Sequence, residues 1–223
     1  MGTVMKQPSK SEYVPALGFH RLTPYYDAVV GATTRERVIK QALIQQARIR
    51  AGQQVLDLAS GTGTLAVWMK QRHPLATVTG VDGDPAMLSM AIHKAQRANV
   101  EVQFDQALSY DLPYPAAQFD RVLSSLFFHH LTWANKQRTA RELFRVLRPG
   151  AELHIADWGY PTSAFMRGLF LSVQILDGFR NTQDNVSGRL IGLFEQAGFA
   201  DVAQRRTFST MFGTLALFSA VRR

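Results

Sequence analysis

Residues 55–66, VLDLASGTGTLA, join a short apolar run to a glycine-rich turn. The apolar run Val55–Leu58 is typical of a buried strand in a parallel sheet. The two glycines of the turn allow tight turning and let a ligand approach the backbone closely. The next segment, Thr64–Arg72, is predicted to form a helix that ends before His73 and Pro74. Free N–H groups at the start of that helix would face a bound carboxylate.

Two carboxylates near this turn indicate which ligand it suits. Asp57 lies just before the turn, and Asp82 lies in the next apolar run, Val78–Asp82. The glycine spacing with an acid about twenty residues on also satisfies the dinucleotide fingerprint. However, the charge of Asp57 would repel a pyrophosphate and attract an ammonium or sulfonium group. S-adenosylmethionine carries both groups and a ribose for Asp82, so the sequence predicts an S-adenosylmethionine site; the alternative is a turn that binds nothing.

Four segments of the chain carry a further signal when they are taken in order. They are residues 55–63 (VLDLASGTG), 80–88 (GVDGDPAML), 111–115 with 119–125 (DLPYP and FDRVLSS) and 142–150 (ELFRVLRPG). Together they resemble the class I S-adenosylmethionine-dependent methyltransferases, most closely the ubiquinone/menaquinone-biosynthesis type and its small-molecule relatives. The combination is specific for the family, but it does not specify a substrate.

The resemblance implies a set of cofactor-binding residues. In chain order they are Asp57, Ala59, Gly61, Thr62, Gly63, Asp82, Gly83, Met87, Leu108, Ser109 and Ser125. By this resemblance Asp57 and residues 61–63 would hold the methionine end of the cofactor. Asp82 would bind the ribose hydroxyls and Met87 would pack on the adenine, while Ser125 would line the site at the end of the fourth strand.

Two positions depart from the pattern of the resembling family. Ala59 replaces the commoner glycine, a small change that some members share. Leu108 stands where the family usually has an acid beside the adenine, and Ser109 is the small residue that follows. Because a leucine side chain cannot accept a hydrogen bond from the adenine amino group, that contact would come from the backbone, from water or from Asp105.

The alternation of apolar runs and helical periods predicts an α/β fold. The expected architecture is a Rossmann-like doubly wound sheet with helices on both faces. As in the resembling family, it should be mostly parallel with an antiparallel last strand. Strands are predicted at Val55–Leu58, Val78–Val81, Val100–Phe104, Asp120–Ser124, Glu152–Asp157, Val202–Thr207 and Leu215–Val221. Helices are predicted at Thr64–Arg72, Pro85–Arg97, Trp133–Leu147 and Val186–Ala197, the last with Gly198 as a C-cap.

A first helix is predicted to begin near Thr33, where Glu36 would close a capping box, and to end near Arg48. Its inward-facing residues are predicted to be Val38, Ala42 and Ile49. Residues 1–18 are predicted to be a disordered tail and residues 19–223 a single domain. Within that domain, the N-terminal stretch and residues 158–180 are expected to cover the acceptor site.

Composition excludes several classes of site. The chain has 223 residues and no cysteine, so it cannot form disulfides, thiolate metal sites or cysteine nucleophiles. No run of about eighteen uncharged apolar residues is present, so no membrane-spanning helix is predicted. His129, His130 and Asp157 lack the spacing of a metal site, so no metal is predicted. The polar N-terminus lacks the apolar segment of a signal peptide, which predicts a cytoplasmic protein.

The formal net charge of +8 favours anionic partners, which include nucleic acid, acidic membrane surfaces and acidic small molecules. One ordered basic feature lies on or just after the helix predicted at Trp133–Leu147 and consists of Arg138, Arg141, Arg145 and Arg148. Their spacing puts them on one helical face, which we interpret as solvated rather than as a nucleic-acid patch. Nucleic acid is therefore an unlikely partner, and peripheral contact with an acidic membrane surface stays open.

Two cover segments, Phe19–Asp27 and the apolar helix Phe165–Phe179, suggest a small lipophilic or aromatic acceptor. Most of that helix is expected simply to dock on the core. Methyl transfer itself needs a nucleophile placed in line, and it needs a base only if the acceptor must lose a proton. The candidate bases are His20, Tyr25, Tyr26, His129, His130 and Asp157. We predict His129 as the base, His130 as structural and Tyr26 as part of the acceptor site. The alternatives are an RNA or protein methyltransferase and a non-catalytic S-adenosylmethionine-binding domain.

Overall fold

A seven-stranded sheet organises the computed structural model, which describes residues 35–223 except for the side chains of Leu176 and Asp177. The strands are β1 Gln54–Leu58, β2 Thr77–Asp82, β3 Gln103–Gln106, β4 Phe119–Ser125, β5 Leu147–Trp158, β6 Ala200–Thr210 and β7 Gly213–Val221. Their spatial order is β3-β2-β1-β4-β5-β7-β6. Neighbours from β3 to β5 pair in parallel, whereas β7 is antiparallel to both β5 and β6.

Helices cover both faces of this sheet. They are α1 Glu36–Ala47, α2 Thr64–Arg72, α3 Pro85–Arg97, α4 Trp133–Val146, α5 Ala164–Asp177, α6 Phe179–Val186 and α7 Arg189–Gln196, with a short 3-10 helix at Phe128–His130. Alternation along β1 divides the core in two. Val55 packs with residues of α1, α2 and α5, whereas Leu56 and Leu58 pack with residues of α4 and α7. The doubly wound, mostly parallel fold with an antiparallel last strand is therefore confirmed.

The first helix differs from its prediction in its rotation about the helix axis. Val38 was expected inside but is 43% exposed, whereas Ile39 and Leu43 are buried against the sheet with Ala42. Glu36 makes an ion pair with Lys40, and no side chain caps the helix. The expected cap, Thr33, lies outside the described residues, as does the predicted tail of residues 1–18.

Several other predicted elements have different bounds; β5, for example, begins at Leu147 rather than at Glu152. The third strand begins at Gln103 rather than at Val100, because the segment before it does not enter the sheet ladder. The helix predicted at Val186–Ala197 is α7, which begins only at Arg189; Val186 ends α6, and Ser187 and Gly188 separate the two helices. Gly188 has a φ of 77°, a left-handed conformation that interrupts a helix and that glycine adopts without a steric penalty.

Gly63 in the turn after β1 and Gly80 in β2 allow close packing around that turn. A Cβ built on Gly63 would lie 2.7 Å from the Cβ of Ala91 in α3. A Cβ on Gly80 would lie 2.6 Å from ring atoms of Phe104. Both positions therefore require glycine. The turn that they position lies at the carboxyl ends of the parallel strands, where ligands bind in sheets of this kind.

Candidate cofactor and acceptor site

Asp57 is the most deeply buried acid of the turn region, with 1% of its surface exposed. Its Oδ2 atom has no hydrogen-bond partner in the described part of the chain. Burial raises the pKa of Asp57 to about 7, against the positive charge of Lys40 and a hydrogen bond from the Ala66 N–H. A buried carboxylate oxygen without a donor is costly. This side chain is therefore suited to an ammonium ligand.

The turn itself is built from left-handed residues. Ala59, Gly61 and Gly63 have φ values of 55°, 52° and 76°. The turn is closed by the Ser60 N–H, which donates to the Val81 carbonyl at 2.9 Å. Alanine at position 59 adopts a conformation that costs an L-residue about 1 kcal/mol, so the tight turn is retained at some cost in strain. Such strain is typical of residues that surround a ligand.

Asp82 ends β2 and braces the turn from the side. Its Oδ2 accepts from the Gly61 N–H at 2.8 Å, and its Oδ1 accepts from the Asp84 N–H at 2.9 Å. Burial raises the pKa of Asp82, and these backbone N–H groups oppose that effect. Gly83 follows, and its carbonyl accepts from the Gln106 side chain at 3.4 Å. A carboxylate has about four lone-pair sites, so Asp82 retains capacity for ribose hydroxyls.

Two of the sequence-predicted residues direct their hydroxyl groups to other elements. Lys94 Nζ in α3 donates to the hydroxyls of Thr62 and Thr64 at 2.8 and 2.6 Å. The Ser109 hydroxyl lies 2.8 Å from that of Thr139 in α4. These contacts fasten the turn and the segment after β3 to neighbouring helices.

The expected adenine side combines an apolar residue with an acid that already has partners. Met87 lies in the first turn of α3 and is 7% exposed. Leu108 is half-buried, and its carbonyl accepts from the Asp111 N–H at 3.0 Å. Asp105 accepts from the Tyr114 hydroxyl at 2.9 Å. Asp105 keeps further lone-pair sites, so Asp105, a backbone group and water all stay candidates for the adenine amino contact.

S-adenosylmethionine fits the donors and acceptors of this site. The unpaired oxygen of Asp57 matches its ammonium group, and Asp82 at the end of the adjacent strand matches its ribose. Ser125 is half-buried at the end of β4, on the other side of β1. A dinucleotide would instead place its pyrophosphate against the buried acid Asp57, which is unfavourable.

A buried histidine–aspartate pair lies at the carboxyl ends of β4 and β5. His129 Nδ1 is 2.8 Å from Asp157 Oδ1, and the two residues are 4% and 0% exposed. Burial favours the neutral acid, but His129 and the Trp158 N–H hold the pKa of Asp157 below its ordinary value. Because an ionised carboxylate can only accept, Nδ1 of His129 carries the hydrogen of this bond.

A second buried layer behind this pair was missed by the sequence reasoning. The Asn185 side-chain amide donates to Asp157 Oδ1 at 3.1 Å. Lys136 is fully buried, donates to the Asn181 carbonyl at 2.6 Å and lies 3.5 Å from Asp184 Oδ2. These contacts join residues 28 to 48 positions apart in the chain. No local pattern could have indicated them.

Of the other candidate bases, His130 lies beside His129, and three lie outside the described residues. His130 stacks 4.0 Å from His129, and burial, with His129 and Lys136, lowers its pKa to about 3, so it stays neutral. Tyr26 lies outside the described residues, as do His20 and Tyr25. The helix predicted at Phe165–Phe179 is α5 with the first residue of α6.

Only part of that helix docks on the core. Phe170 and Val173 are 1% and 7% exposed, whereas Phe165 and Ile175 are 70% and 73% exposed. The apolar stripe is thus divided between the core and the surface. Within residues 35–223 no helix is long and apolar enough to cross a membrane, and no group of acids and histidines could hold a metal ion.

The basic stripe has internal partners. Arg145 donates to both carboxylate oxygens of Glu142 at 2.8 and 2.7 Å, and Arg148 pairs with Asp120 at 2.6 Å. Arg138 stacks over a tyrosine ring at 4.3 Å. These arginines therefore neutralise acids of the protein and cover one of its aromatic rings, in addition to facing solvent.

The fold and the two acids define a class of protein, a Rossmann-like domain for an adenosine cofactor with a charged amino-acid end. Comparison with known proteins agrees. A family profile described as "Methyltransferase domain" matches residues 55–150. An uncharacterized methyltransferase of Synechocystis is 31% identical over 175 residues, which cover 75% of this chain and 76% of that protein. The chain therefore belongs to the class I S-adenosylmethionine-dependent methyltransferases, whose cofactor is S-adenosylmethionine.

Relatives with assigned names point to quinone biosynthesis. Demethylmenaquinone methyltransferase of Thermus thermophilus is 36% identical over 148 residues, 64% of this chain and 65% of that protein. The chain thus spans slightly less than two thirds of that relative. Ubiquinone/menaquinone biosynthesis C-methyltransferase UbiE of Syntrophotalea carbinolica is 28% identical and aligns over 92% of both chains. The solved structure of the methyltransferase SibL shares the fold, with a TM-score of 0.68 at 21% identity over 94% of this chain and 60% of SibL.

Proposed function

We propose that this protein transfers a methyl group from S-adenosylmethionine to a small aromatic acceptor of the quinol type. The observation that carries the proposal is the His129–Asp157 pair, which lies one and two strands from the buried acid Asp57. The names of the relatives support the acceptor class, because a quinol ring carbon or hydroxyl must lose a proton when it is methylated. A base at this position meets that need.

The cofactor would supply an activated methyl group on its sulfonium, so the protein mainly has to bind and orient. Asp57 would hold the ammonium group and Asp82 the ribose hydroxyls, which fixes the sulfonium near the ends of β1 and β4. Asp157 would keep His129 in the tautomer whose Nε2 accepts a proton. The acceptor would give up its proton to that nitrogen as its new bond to the methyl carbon forms.

Aromatic rings lie beside His129, and the proposal places the acceptor at the edge of this cluster, because Trp158 and Phe170 themselves are only 4% and 1% exposed. The Trp158 ring lies 6.2 Å from the His129 ring in an edge arrangement, and the Phe170 ring lies 5.1 Å from Trp158. Burial of an aromatic ring among such groups stabilises binding by about 25 cal/mol per Å², before ordering costs. An RNA acceptor is less well supported, because Arg145 and Arg148 already pair with acids of the protein. Cytoplasmic location and contact with an acidic membrane surface stay predictions from the sequence.

The test is methylation of a short-chain reduced naphthoquinone lacking the ring methyl group. Methyl-labelled cofactor and mass spectrometry identify the product. We expect wild-type turnover and a loss of roughly 10²- to 10⁴-fold in kcat for His129→Ala, the usual contribution of a general base. S-adenosylhomocysteine affinity should stay unchanged, because His129 does not hold the cofactor. The matched control is His93→Ala, since His93 is exposed on α3.

Three results would contradict the proposal. Equal turnover by His129→Ala and His93→Ala would remove the base from the mechanism. Greater activity on RNA than on any small aromatic acceptor would move the substrate site to the basic surface. Binding of S-adenosylhomocysteine with no turnover of any acceptor would favour a non-catalytic binding domain.

A further inference from the structure

A largely buried ion pair lies at the start of α1, and neither of its residues belongs to the cofactor or acceptor residues named above. Lys40 Nζ bonds to Glu36 Oε1, and the two side chains are only 13% and 9% exposed. Pairs four residues apart ordinarily lie on the solvent face of a helix. Withdrawal of two charges from water is costly, and a further charged partner would offset part of that cost.

Contacts at both ends of α1 fix its direction relative to the sheet. The Ala47 carbonyl at its C-terminal end accepts from Arg121 Nε at 2.9 Å, near the beginning of β4. Arg35, just before its N-terminal end, donates to the Ser209 carbonyl near the end of β6 at 3.5 Å. Strands β4 and β6 run in the same direction in the sheet. The helix is therefore antiparallel to β1, and its first turns lie at the edge where the cofactor turn lies.

Helix and strand geometry then place Lys40 at about the level of Asp57 along the strand direction, on a helix that packs on β4 and β5 beside β1. Arg121 is in register with Val55, so the end of α1 lies at about the level of Val55. Lys40 is seven residues back along the helix, about 10 Å. Asp57 is two residues on along β1, about 7 Å. The two side chains thus reach similar levels, and the charge of Lys40 is the strongest influence that favours ionised Asp57.

The amino-acid end of S-adenosylmethionine is a zwitterion, so its ammonium and its carboxylate each need a partner of opposite charge. Asp57 suits the ammonium. We propose that Lys40 binds the carboxylate and that Glu36 holds the lysine when no cofactor is bound. The inference rests on the cofactor of the proposed function and names the residue that recognises its carboxylate. With the cofactor in place, Lys40 would share its three N–H donors between the cofactor carboxylate and Glu36, so neither carboxylate would lose its cationic partner.

Two ligands separate this role from a structural one. S-adenosylhomocysteine retains the ammonium and carboxylate, whereas 5′-methylthioadenosine has the adenosine and sulfur but neither charge. Calorimetric titration of Lys40→Met should show S-adenosylhomocysteine weakened roughly 10- to 100-fold, the range for a charge-assisted hydrogen bond. Affinity for 5′-methylthioadenosine should match that of wild type. Lys40→Arg should restore most of the lost affinity.

Arg37→Met is the matched control, because Arg37 is a cation on the same helix that faces solvent. If Lys40→Met binds S-adenosylhomocysteine as Arg37→Met does, the inference is overturned. A parallel loss of both ligands would also overturn it, since it would show that Lys40 only supports the fold. Failure of the wild type to bind S-adenosylhomocysteine would overturn the proposed function as well, whereas an inactive wild type that binds it would leave this inference intact.

Discussion

Burial favours the protonated form of Asp57, whereas binding of an ammonium group requires the ionised form. Burial raises its pKa to about 7, so in the free protein it is about half-protonated near neutral pH. An ammonium ligand requires the ionised form. Below pH 7, binding should therefore be accompanied by loss of a proton from Asp57, and the affinity should depend on pH.

This linkage gives a prediction for wild-type protein and for Asp57→Asn. Wild-type affinity for S-adenosylhomocysteine should fall by about tenfold for each pH unit below 7 and should level off above that value. Asp57→Asn should bind weakly at every pH, because its amide cannot ionise. Calorimetry between pH 5.5 and 8.5 measures both profiles.

The control is Asp201→Asn, since the Asp201 side chain is 54% exposed and lies at the start of β6. It should reproduce the wild-type profile. A wild-type affinity that is constant across this range would show that Asp57 does not bind the ammonium group.

At the level of elements, the local sequence predicted what local forces determine. Thr64–Arg72 and Pro85–Arg97 have the bounds that their flanking signals indicated. Asp84 caps the second of these helices by accepting from the Ala86 N–H at 2.8 Å. The rotation of α1 was not predictable in the same way. Its apolar residues allow two helical faces, and only contact with the sheet chooses Ile39 over Val38.

Like the fold, the candidate site was predictable only where short local motifs determine it. Asp57 and Asp82 belong to short motifs whose spacing carries their chemistry, so both could be named from the sequence alone. Lys40 was not named from the sequence, because a lysine four residues after Glu36 has the spacing of an ordinary helix-surface pair. Asn185 and Lys136 reach Asp157 and Asp184 only through the packing of α4 and α6 against the sheet. Such long-range contacts leave no pattern in the local sequence.

Buried Lys136 in α4 contacts two residues of α6, and we expect it to anchor that helix. Lys136 donates to the Asn181 carbonyl at 2.6 Å, so Lys136→Met would leave that carbonyl and part of the Asp184 charge without a donor. We expect a loss of about 2–4 kcal/mol in unfolding free energy, because breaking a buried pair costs more than an exposed one. Hydrogen exchange in α6 should rise before exchange in the central strands does.

Arg141→Met serves as the control for this change, since Arg141 is exposed on the same helix, α4. It should alter the stability by less than about 0.5 kcal/mol. Equal effects of the two substitutions on urea denaturation would show that Lys136 does not anchor α6.

Across the whole molecule, two histidines and buried Asp57 change the unfolding free energy in opposite directions as the pH falls. Burial lowers the pKa of His130 to about 3 and also lowers that of His154. His130 stays neutral in the folded protein down to about pH 3, whereas the unfolded chain takes up a proton below about pH 6.5, so stability is lost as the pH falls; the lowered pKa of His154 acts in the same direction. Asp57 acts in the other sense. It keeps its proton up to about pH 7 when folded and only to about 3.8 when unfolded, so stability is lost as the pH rises between these values.

Between pH 5 and 6 the Asp57 effect therefore masks part of the acid sensitivity that the histidines impose. Removal of the titrating group by Asp57→Asn should make the unfolding free energy of the cofactor-free protein depend more steeply on pH. The slope should become more positive by about 1.3 kcal/mol per pH unit, the value for one proton held only by the folded state. Urea denaturation at closely spaced pH values measures it. Asp201→Asn should leave the slope unchanged, and an unchanged slope for Asp57→Asn would mean that Asp57 is ionised throughout this range.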